Sequence, residues 1–138
     1  MRLVESECWE RVTASRHGVL GTVHPERGVD LVPAVYVLDD DRAIFIPIDT
    51  VKAKTTTRLQ RLDNLAADPR CTLLIEHYDA DWSRLWWVRI NGVGAEATAE
   101  QLDRFGSLVA ARFPQYAEPE TLVGGLVIHP TAITGWSA

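Results

Sequence analysis

Short, largely apolar stretches recur along this chain and are separated by turn residues. Stretches of this kind at hairpin spacing are typical of strands, and together they predict an antiparallel sheet or barrel. The hairpin between the first two strands turns at residues 25–28, with proline early and glycine late. The predicted strands are 19–24, 29–39, 43–48, 71–78 and 85–97, with one or two more between 122 and 136.

Three segments instead carry apolar residues at helical spacing. We predict helices over residues 2–14, from the junction near residue 52 to Ala67 or Asp68, and over 99–113. The second helix must end there because Pro69 disfavours helical conformation in the residue before it. The apolar face of the first helix would consist of Leu3, Val4, Cys8 and Val12, and that of the third of Leu102, Phe105, Leu108, Val109 and Phe113.

Proline and glycine mark departures from regular strand pairing. Pro33 lies inside the second predicted strand and Pro47 near the end of the third. Because proline lacks an N–H donor, Pro33 indicates an edge, a bulge or a place where something other than a strand approaches. Gly92 and Gly94 allow a bend in the fifth strand. The chain has 138 residues and no repeat or linker, so we predict a single domain over 1–138, mainly β with flanking helices.

Composition narrows the classes of partner. The net charge of −5 disfavours nonspecific nucleic-acid binding, which usually needs a basic surface. No apolar run approaches the ~20 residues that span a bilayer, and the N-terminus lacks the apolar core of a signal peptide. Cys8 and Cys71 lack metal-ligand spacing. We therefore predict a reduced, cytoplasmic protein with no metal, no nucleic-acid partner and no membrane partner.

Positive charge is concentrated in residues 48–70, where the predicted helix follows the third strand. A helix N-terminus carries free N–H groups and a partial positive charge, so it can bind an anion. The basic residues of this segment are Lys52, Lys54, Arg58 and Arg61, and the hydroxyl donors beside them are Thr55, Thr56 and Thr57. The pattern predicts a site for a phosphate or a polycarboxylate, and the alternative is a solvated helix face.

The chain also contains five tryptophans and no familiar catalytic motif. Trp86 and Trp87 are neighbours on one predicted strand, so their side chains point to opposite faces. One can pack in the core, and the other faces solvent, a partner subunit or a planar ligand. The catalytic residues stay unknown, although His24, Tyr36 and His77 are conceivable proton donors. Glu76, His77, Asp79 and Asp81 form either a cation site or a solvated turn.

The order of these segments resembles the split β-barrel flavin and deazaflavin oxidoreductases of the pyridoxamine-5′-phosphate-oxidase-like superfamily. The resemblance runs through VLGTVH, LVPAVYV, AIFIPI, VKAK, NLAADPR, CTLLIEHY and WWVRINGVGA, which cover most of the chain. Its most specific part is the lysine at the strand–helix junction, followed by Asn-Leu-x-x-Asp-Pro-Arg and an apolar strand. The stretch HYDADWSRLWWVRINGVG resembles a mycobacterial-type branch of probable enzymes of the deazaflavin coenzyme F420.

This resemblance implies a split antiparallel barrel of the FMN-binding-protein type and a homodimer with two cofactor sites at the subunit interface. It implies that the cofactor phosphate is held at Lys52, Lys54, Thr55 and Thr57, and the anionic tail at Arg58 and Arg61. The ring would lie against the backbone of Pro33, Ala34 and Val35, with Trp87 beside it. The chain departs from the shorter Lys-x-x-Asn-Leu form, because about two helical turns precede Asn64.

Three functions follow from the resemblance. The first is an F420-dependent reductase that transfers a hydride to a small unsaturated or conjugated molecule, the second an FMN-dependent oxidase or reductase. The third is a binder of a flavin, deazaflavin or haem-like ligand without turnover, and a purely structural dimer remains beyond these. FMN lacks the long anionic tail, so Arg58 and Arg61 favour F420. The loops 79–84 and 114–123 would shape the substrate site.

Overall fold

The computed structural model describes residues 1–49 and 59–138. Within these residues, seven strands and three α-helices form the fold, and three single-turn 3₁₀ helices lie in the connections. The helices are α1 Glu5–Ala14, α2 Gln60–Ala67 and α3 Ala99–Arg112. The strands are β1 His17–His24, β2 Gly28–Val35, β3 Val37–Leu38, β4 Ile44–Asp49, β5 Arg70–His77, β6 Trp86–Glu96 and β7 Leu122–Ser137.

All the strand pairs are antiparallel, and the order across the sheet is β2-β1-β5-β6-β7-β4-β3. The two outermost strands of this order, β2 and β3, are adjacent in sequence and separated only by Tyr36. The chain therefore pairs with β1 up to Val35 and then with β4 from Val37 onward. This change of partner closes the sheet into a barrel at one end, whereas no pairing joins β2 to the rest of β4 in the described residues. The fold is a split antiparallel barrel.

Two clusters of buried side chains hold the helices against the sheet. The barrel interior is the larger cluster, and α1 and α2 cover its opposite ends. Cys8 of α1 lies against Gly135, and Leu65 of α2 against Gly94, where a Cβ atom would meet the sulphur or the leucine methyl groups at 2.7 and 3.3 Å. The second cluster lies outside the barrel under α3, with the Phe45 and Phe105 rings stacked 5.0 Å apart.

The sequence patterns located most elements to within a few residues. The predicted strand 29–39 is wrong as one element, because it changes partner at Tyr36. The C-terminal strands are one strand of 16 residues. Gly92 lies at a register shift between β6 and β7, an irregularity of the kind that accompanies strand bends. The end of α2 at Ala67 is confirmed.

Helix faces were predicted less well than helix positions. The first helix begins at Glu5 instead of residue 2, because the Leu3 N–H donates to the Gly135 carbonyl at 2.9 Å and holds the terminus against β7. Val4, predicted to be buried, is 58% exposed, and Leu108 is also exposed. Among the described residues, no helix is long and apolar enough to cross a membrane.

Candidate functional site

The split between β2 and β4 is the place where strand pairing around the described barrel is interrupted. The chain leaves β4 at Asp49 and next enters a described position at Leu59, immediately before α2. The residues predicted to bind the cofactor phosphate and its anionic tail therefore follow the strand that borders the split. Of these residues, Lys52, Lys54, Thr55, Thr57 and Arg58 lie outside the described residues.

The start of α2 differs from the prediction. Leu59 has an extended conformation, with φ −68° and ψ 135°, and the helix begins at Gln60. The prediction that this helix begins near residue 52 is therefore wrong, since α2 begins at Gln60. The predicted combination of lysine charge with free helix N–H groups falls on Lys52 and Lys54, outside the described residues, and stays a prediction.

Arg61 takes part in a partly buried cluster near the end of β4. The Tyr116 hydroxyl donates a hydrogen bond to Asp49 Oδ2 at 2.7 Å. Burial lowers the pKa of the Arg61 guanidinium, and the charges of Asp49 and Tyr116 act in the opposite direction. Burial, followed by the bond to Asp49, raises the pKa of the Tyr116 hydroxyl above its ordinary range. Arg61 is thus not on an open, solvated helix face, because its charge is already balanced in part within the protein.

Asn64 fastens α2 to the first hairpin. Its side chain is fully buried, and its Nδ2 donates to Thr22 Oγ1 at 3.0 Å and to Asp30 Oδ2 at 2.9 Å. Asp30 also accepts two hydrogen bonds from the Arg27 guanidinium, both at 2.8 Å. These bonds, that from Arg27 first and that from Asn64 second, lower the pKa of the Asp30 carboxyl. The observed role of Asn64 is therefore to position α2.

The three β2 residues predicted to line the cofactor ring do not share one face. Pro33 is exposed on the side of β2 that points away from the barrel interior, and Val35 is partly buried on the same side. The Ala34 methyl points into the barrel core. Ala34 can therefore contact a ligand outside the barrel only through its backbone. Because β2 is the first strand in the sheet order, Pro33 lies on an edge strand, which confirms one of the three readings of that proline.

Trp87 lies on the side of β6 that points away from the barrel interior, with the Arg89 guanidinium 5.2 Å from its ring centre. Trp86 lies on the inner face and packs against the barrel core, so the predicted opposition of these two rings is confirmed. Two strands, β1 and β5, separate β6 from β2 in the sheet. At ~4.8 Å per strand, Trp87 is about 14 Å across the sheet from the Pro33–Val35 segment. One chain does not bring these predicted cofactor residues together.

A broad apolar groove lies on the side of β2, β1, β5 and β6 that points away from the barrel interior. We call this groove the outer face. Its volume is about 820 Å³, and Leu31 and Val29 at its edge are 71% and 65% exposed. Exposed apolar surface of this extent usually marks an interaction site. The residues that line it include Val19, Gly21, Val23, Val29, Leu31, Thr72, Leu74, Arg89, Asn91 and Val93.

Hydrogen bonds restrict the conceivable proton donors. Tyr36 is buried and its hydroxyl donates to the Val12 carbonyl, so it is not available to a ligand. His24 Nδ1 accepts from the backbone N–H groups of the following turn. His77 pairs with Asp79 at 3.1 Å, and Asp79 also accepts from the backbone of Asp81. The acidic residues of this turn therefore bond to their own loop.

Sequence reasoning missed the residues that join distant elements. Nothing near Tyr116 in the sequence points to Asp49, which lies 67 positions away. Likewise, Thr22 and Asp30 bond to Asn64 across 42 and 34 positions. A weak signal was available for Asn64 alone, since a polar residue between Leu62 and Leu65 on a helix must either face water or find a partner.

Solved structures similar to this one share its architecture. A conserved hypothetical protein of Mycobacterium tuberculosis is 26% identical with a TM-score of 0.77, covering 98% of this chain and 85% of that chain. An FAD-binding protein of Mesorhizobium loti is 17% identical with a TM-score of 0.71, covering 98% and 93%. A heme storage protein of Vibrio cholerae is 14% identical with a TM-score of 0.69, covering 96% and 94%. The last two likenesses show the fold alone.

No curated protein matches this sequence. The sequence profile of the pyridoxamine 5′-phosphate oxidase family, however, matches residues 4–137. That match spans every described helix and strand, including both borders of the split and the outer face. The chain belongs to the pyridoxamine 5′-phosphate oxidase family.

Proposed function

We propose that this protein is an oxidoreductase that uses the deazaflavin coenzyme F420 to transfer a hydride to a small unsaturated or conjugated molecule. The observation that carries the proposal is the split, an opening between two strand edges, in a chain of this family. Strand edges offer unpaired backbone N–H and C=O groups to a planar ring. The cationic stretch that follows β4 then supplies charge for an anionic tail.

The chain's own residues would bind and orient the cofactor. The backbone at Pro33 and Val35 would lie against the ring, and Lys52 and Lys54 would hold the phosphate. The bound cofactor would supply the hydride chemistry. The protein would exclude water and fix the substrate beside the ring. Among the described residues, Tyr36 is committed to an internal hydrogen bond, which leaves solvent as the simplest proton source.

The proposed assembly is a homodimer in which the outer face is covered by a second copy. The apolar residues Leu31 and Val29 are highly exposed in the single chain, which supports burial against a partner. A two-fold dimer would also explain how Trp87 could contact the ring. The ring would lie at the β2 edge of one protomer, and Trp87 would come from the other, since the two lie about 14 Å apart within one chain.

The experiment is a fluorescence titration of the purified apo-protein with F420 and, separately, with FMN. We expect micromolar binding of F420 that weakens with rising ionic strength, because its tail is polyanionic. Lys52→Ala should weaken binding more than tenfold, since a charge-assisted contact contributes ~1.5–3 kcal/mol. Arg104→Ala, which removes a charge from the exposed face of α3, is the matched control. Equal losses in both variants would remove the phosphate assignment.

A flavin is the second candidate cofactor. It is favoured by the architecture shared with the FAD-binding protein of Mesorhizobium loti, and by Arg61, whose charge is already balanced in part by Asp49. Tighter binding of FMN than of F420 would select this alternative. The fold shared with a heme storage protein supports a third candidate, a binder without turnover. Reduction of a conjugated acceptor by the protein with reduced cofactor would exclude the third candidate, the binder without turnover.

A further inference from the structure

The hydrogen-bonding pattern of β2 determines which of its groups face the split. In an antiparallel pair, alternate residues bond to the neighbouring strand, and the residues between them direct N–H and C=O to the other side. The Tyr36 N–H donates to the Arg16 carbonyl at 3.3 Å, and the register of β2 continues from this pair. The even-numbered residues therefore bond to β1. The main-chain groups of Pro33 and Val35 point away from β1, towards β4.

The short ladder between β3 and β4 has a defined register as well. The Asp39 N–H donates to the Ala43 carbonyl at 3.1 Å, so these two residues form a hydrogen-bonded rung. The next hydrogen-bonded rung joins Val37 to Phe45, which are paired in the structure. In the described residues the ladder stops there, although β2 and β4 both continue.

The two rungs that would follow each lack a donor. Continuing the register by two residues at a time would place Val35 opposite Pro47, and then Pro33 opposite Asp49. Proline has no N–H group, so the first of these rungs loses the donor of residue 47 and the second loses that of residue 33. Pairing with the other neighbours is unaffected, because both prolines occupy non-hydrogen-bonded positions opposite Val19 of β1 and Gly125 of β7.

We propose that Pro33 and Pro47 act as a pair to keep the barrel split, and that the space they keep open takes a planar ligand with an N–H donor on its edge. The ligand class follows from the missing groups. Each absent proline N–H leaves the slot richer in carbonyl acceptors than in donors, so a ring N–H can supply what the strands lack. The ligand half of this inference rests on the proposed function, whereas the role of the prolines does not.

The alternative is that each proline only protects a strand edge against pairing with another molecule. That role needs no match between the two positions. Here, both prolines face the same gap, on successive rungs of one register. Restoring an N–H at these positions separates the two explanations, because it lets β2 and β4 pair with each other only if the prolines are what keeps them apart.

The test compares Pro47→Val and the double variant Pro33→Val/Pro47→Val with wild type by amide hydrogen exchange on the apo-protein. We expect exchange at Val35 to slow by roughly tenfold, because that amide gains a partner in the new rung. Pro25→Val is the matched control, since it adds an N–H in the exposed turn between β1 and β2, away from the gap. Unchanged exchange at Val35 in folded Pro47→Val protein would overturn the proposal.

The ligand half is tested with the same variants. Whichever of F420 and FMN the wild type binds should bind the double variant at least tenfold more weakly, and Pro25→Val should bind as wild type does. Slowed exchange with unchanged affinity would refute the ligand slot while the role of the prolines stands. If wild type binds neither cofactor, the proposed function fails, and the exchange result still decides what the prolines do. Should the double variant not fold, Pro47→Val alone tests the first rung.

Discussion

Asn64 illustrates how burial changes the importance of one side chain. Its Nδ2 donates to Thr22 Oγ1 at 3.0 Å in a fully buried position. Ser83 Oγ donates a hydrogen bond to Asp81 Oδ1 at 2.7 Å, but on the exposed surface. Removing a buried partner leaves polar groups that water cannot satisfy, whereas water replaces an exposed one.

We therefore predict that Asn64→Ala lowers the free energy of unfolding by about 2–3 kcal/mol, and that Ser83→Ala lowers it by less than ~0.5 kcal/mol. Urea denaturation of both variants would measure the difference. Similar losses in the two variants would contradict the structural role assigned to Asn64.

At the scale of elements, glycine positions decide how closely neighbouring segments pack. A Cβ atom on Gly125 of β7 would lie 2.4 Å from Phe45 Cζ and 2.9 Å from the Ile46 carbonyl oxygen. Both neighbours belong to the adjacent strand β4, and Phe45 is itself stacked on Phe105. On Gly106 of α3, the nearest atom would be 3.8 Å away.

Gly125→Ala should lower the free energy of unfolding by about 2–3 kcal/mol, because an overpacked core must shift. Gly106→Ala should raise it by about 0.5–1 kcal/mol, since alanine favours the helix and makes only an ordinary van der Waals contact there. Thermal denaturation with both variants checks the pair, and a stabilising effect of alanine at position 125 would be incompatible with the packing described.

The stability that the junction between the first hairpin and α2 gives the fold should also depend on pH. The Asp30 pKa is lowered in the folded protein, by the Arg27 bond first. A carboxyl with a lowered folded pKa contributes stability above its unfolded pKa of about 3.9, and the contribution is lost as the pH falls through the folded value. Asp30→Asn should therefore be less stable than wild type at pH 7, with a difference that shrinks steadily below about pH 4. Denaturation curves at pH 7, 4 and 3 test this, and a difference that grows with acidity would be the wrong sign.

At the scale of the whole molecule, the outer face is the feature that a single chain leaves incomplete. Its apolar edge is exposed at Leu31 and Val29 although the barrel interior is fully packed. A buried carboxylate without a partner is unfavourable, so a charge placed here would oppose association without disturbing the core.

We predict that wild type is a dimer and that Leu31→Glu is a folded monomer. Leu108→Glu on α3, also an exposed leucine but away from the outer face, should remain dimeric. Light scattering coupled to size-exclusion chromatography over a range of concentrations measures the mass of each. A wild-type monomer at all concentrations would remove the proposed interface.

The sequence by itself determined most of the elements, because short apolar stretches bounded by turn residues and helical periodicity are local patterns. It predicted a mainly antiparallel barrel with flanking helices, the end of α2 before Pro69, and the opposition of Trp86 and Trp87. It also singled out Pro33 as a place for an edge, a bulge or the approach of something other than a strand, since a missing N–H has a local meaning wherever the strand lies. The sheet order then selected the edge.

Tertiary structure decided the relations between those elements. The pairing of Asp49 with Tyr116 and of Asn64 with Thr22 joins residues far apart in sequence, and no local pattern encodes such a contact. The division of the predicted strand 29–39 at Tyr36 likewise depends on a second partner, β4, becoming available there. The register that places both prolines on one gap exists only once β2, β3 and β4 are assembled, because register is a property of paired strands.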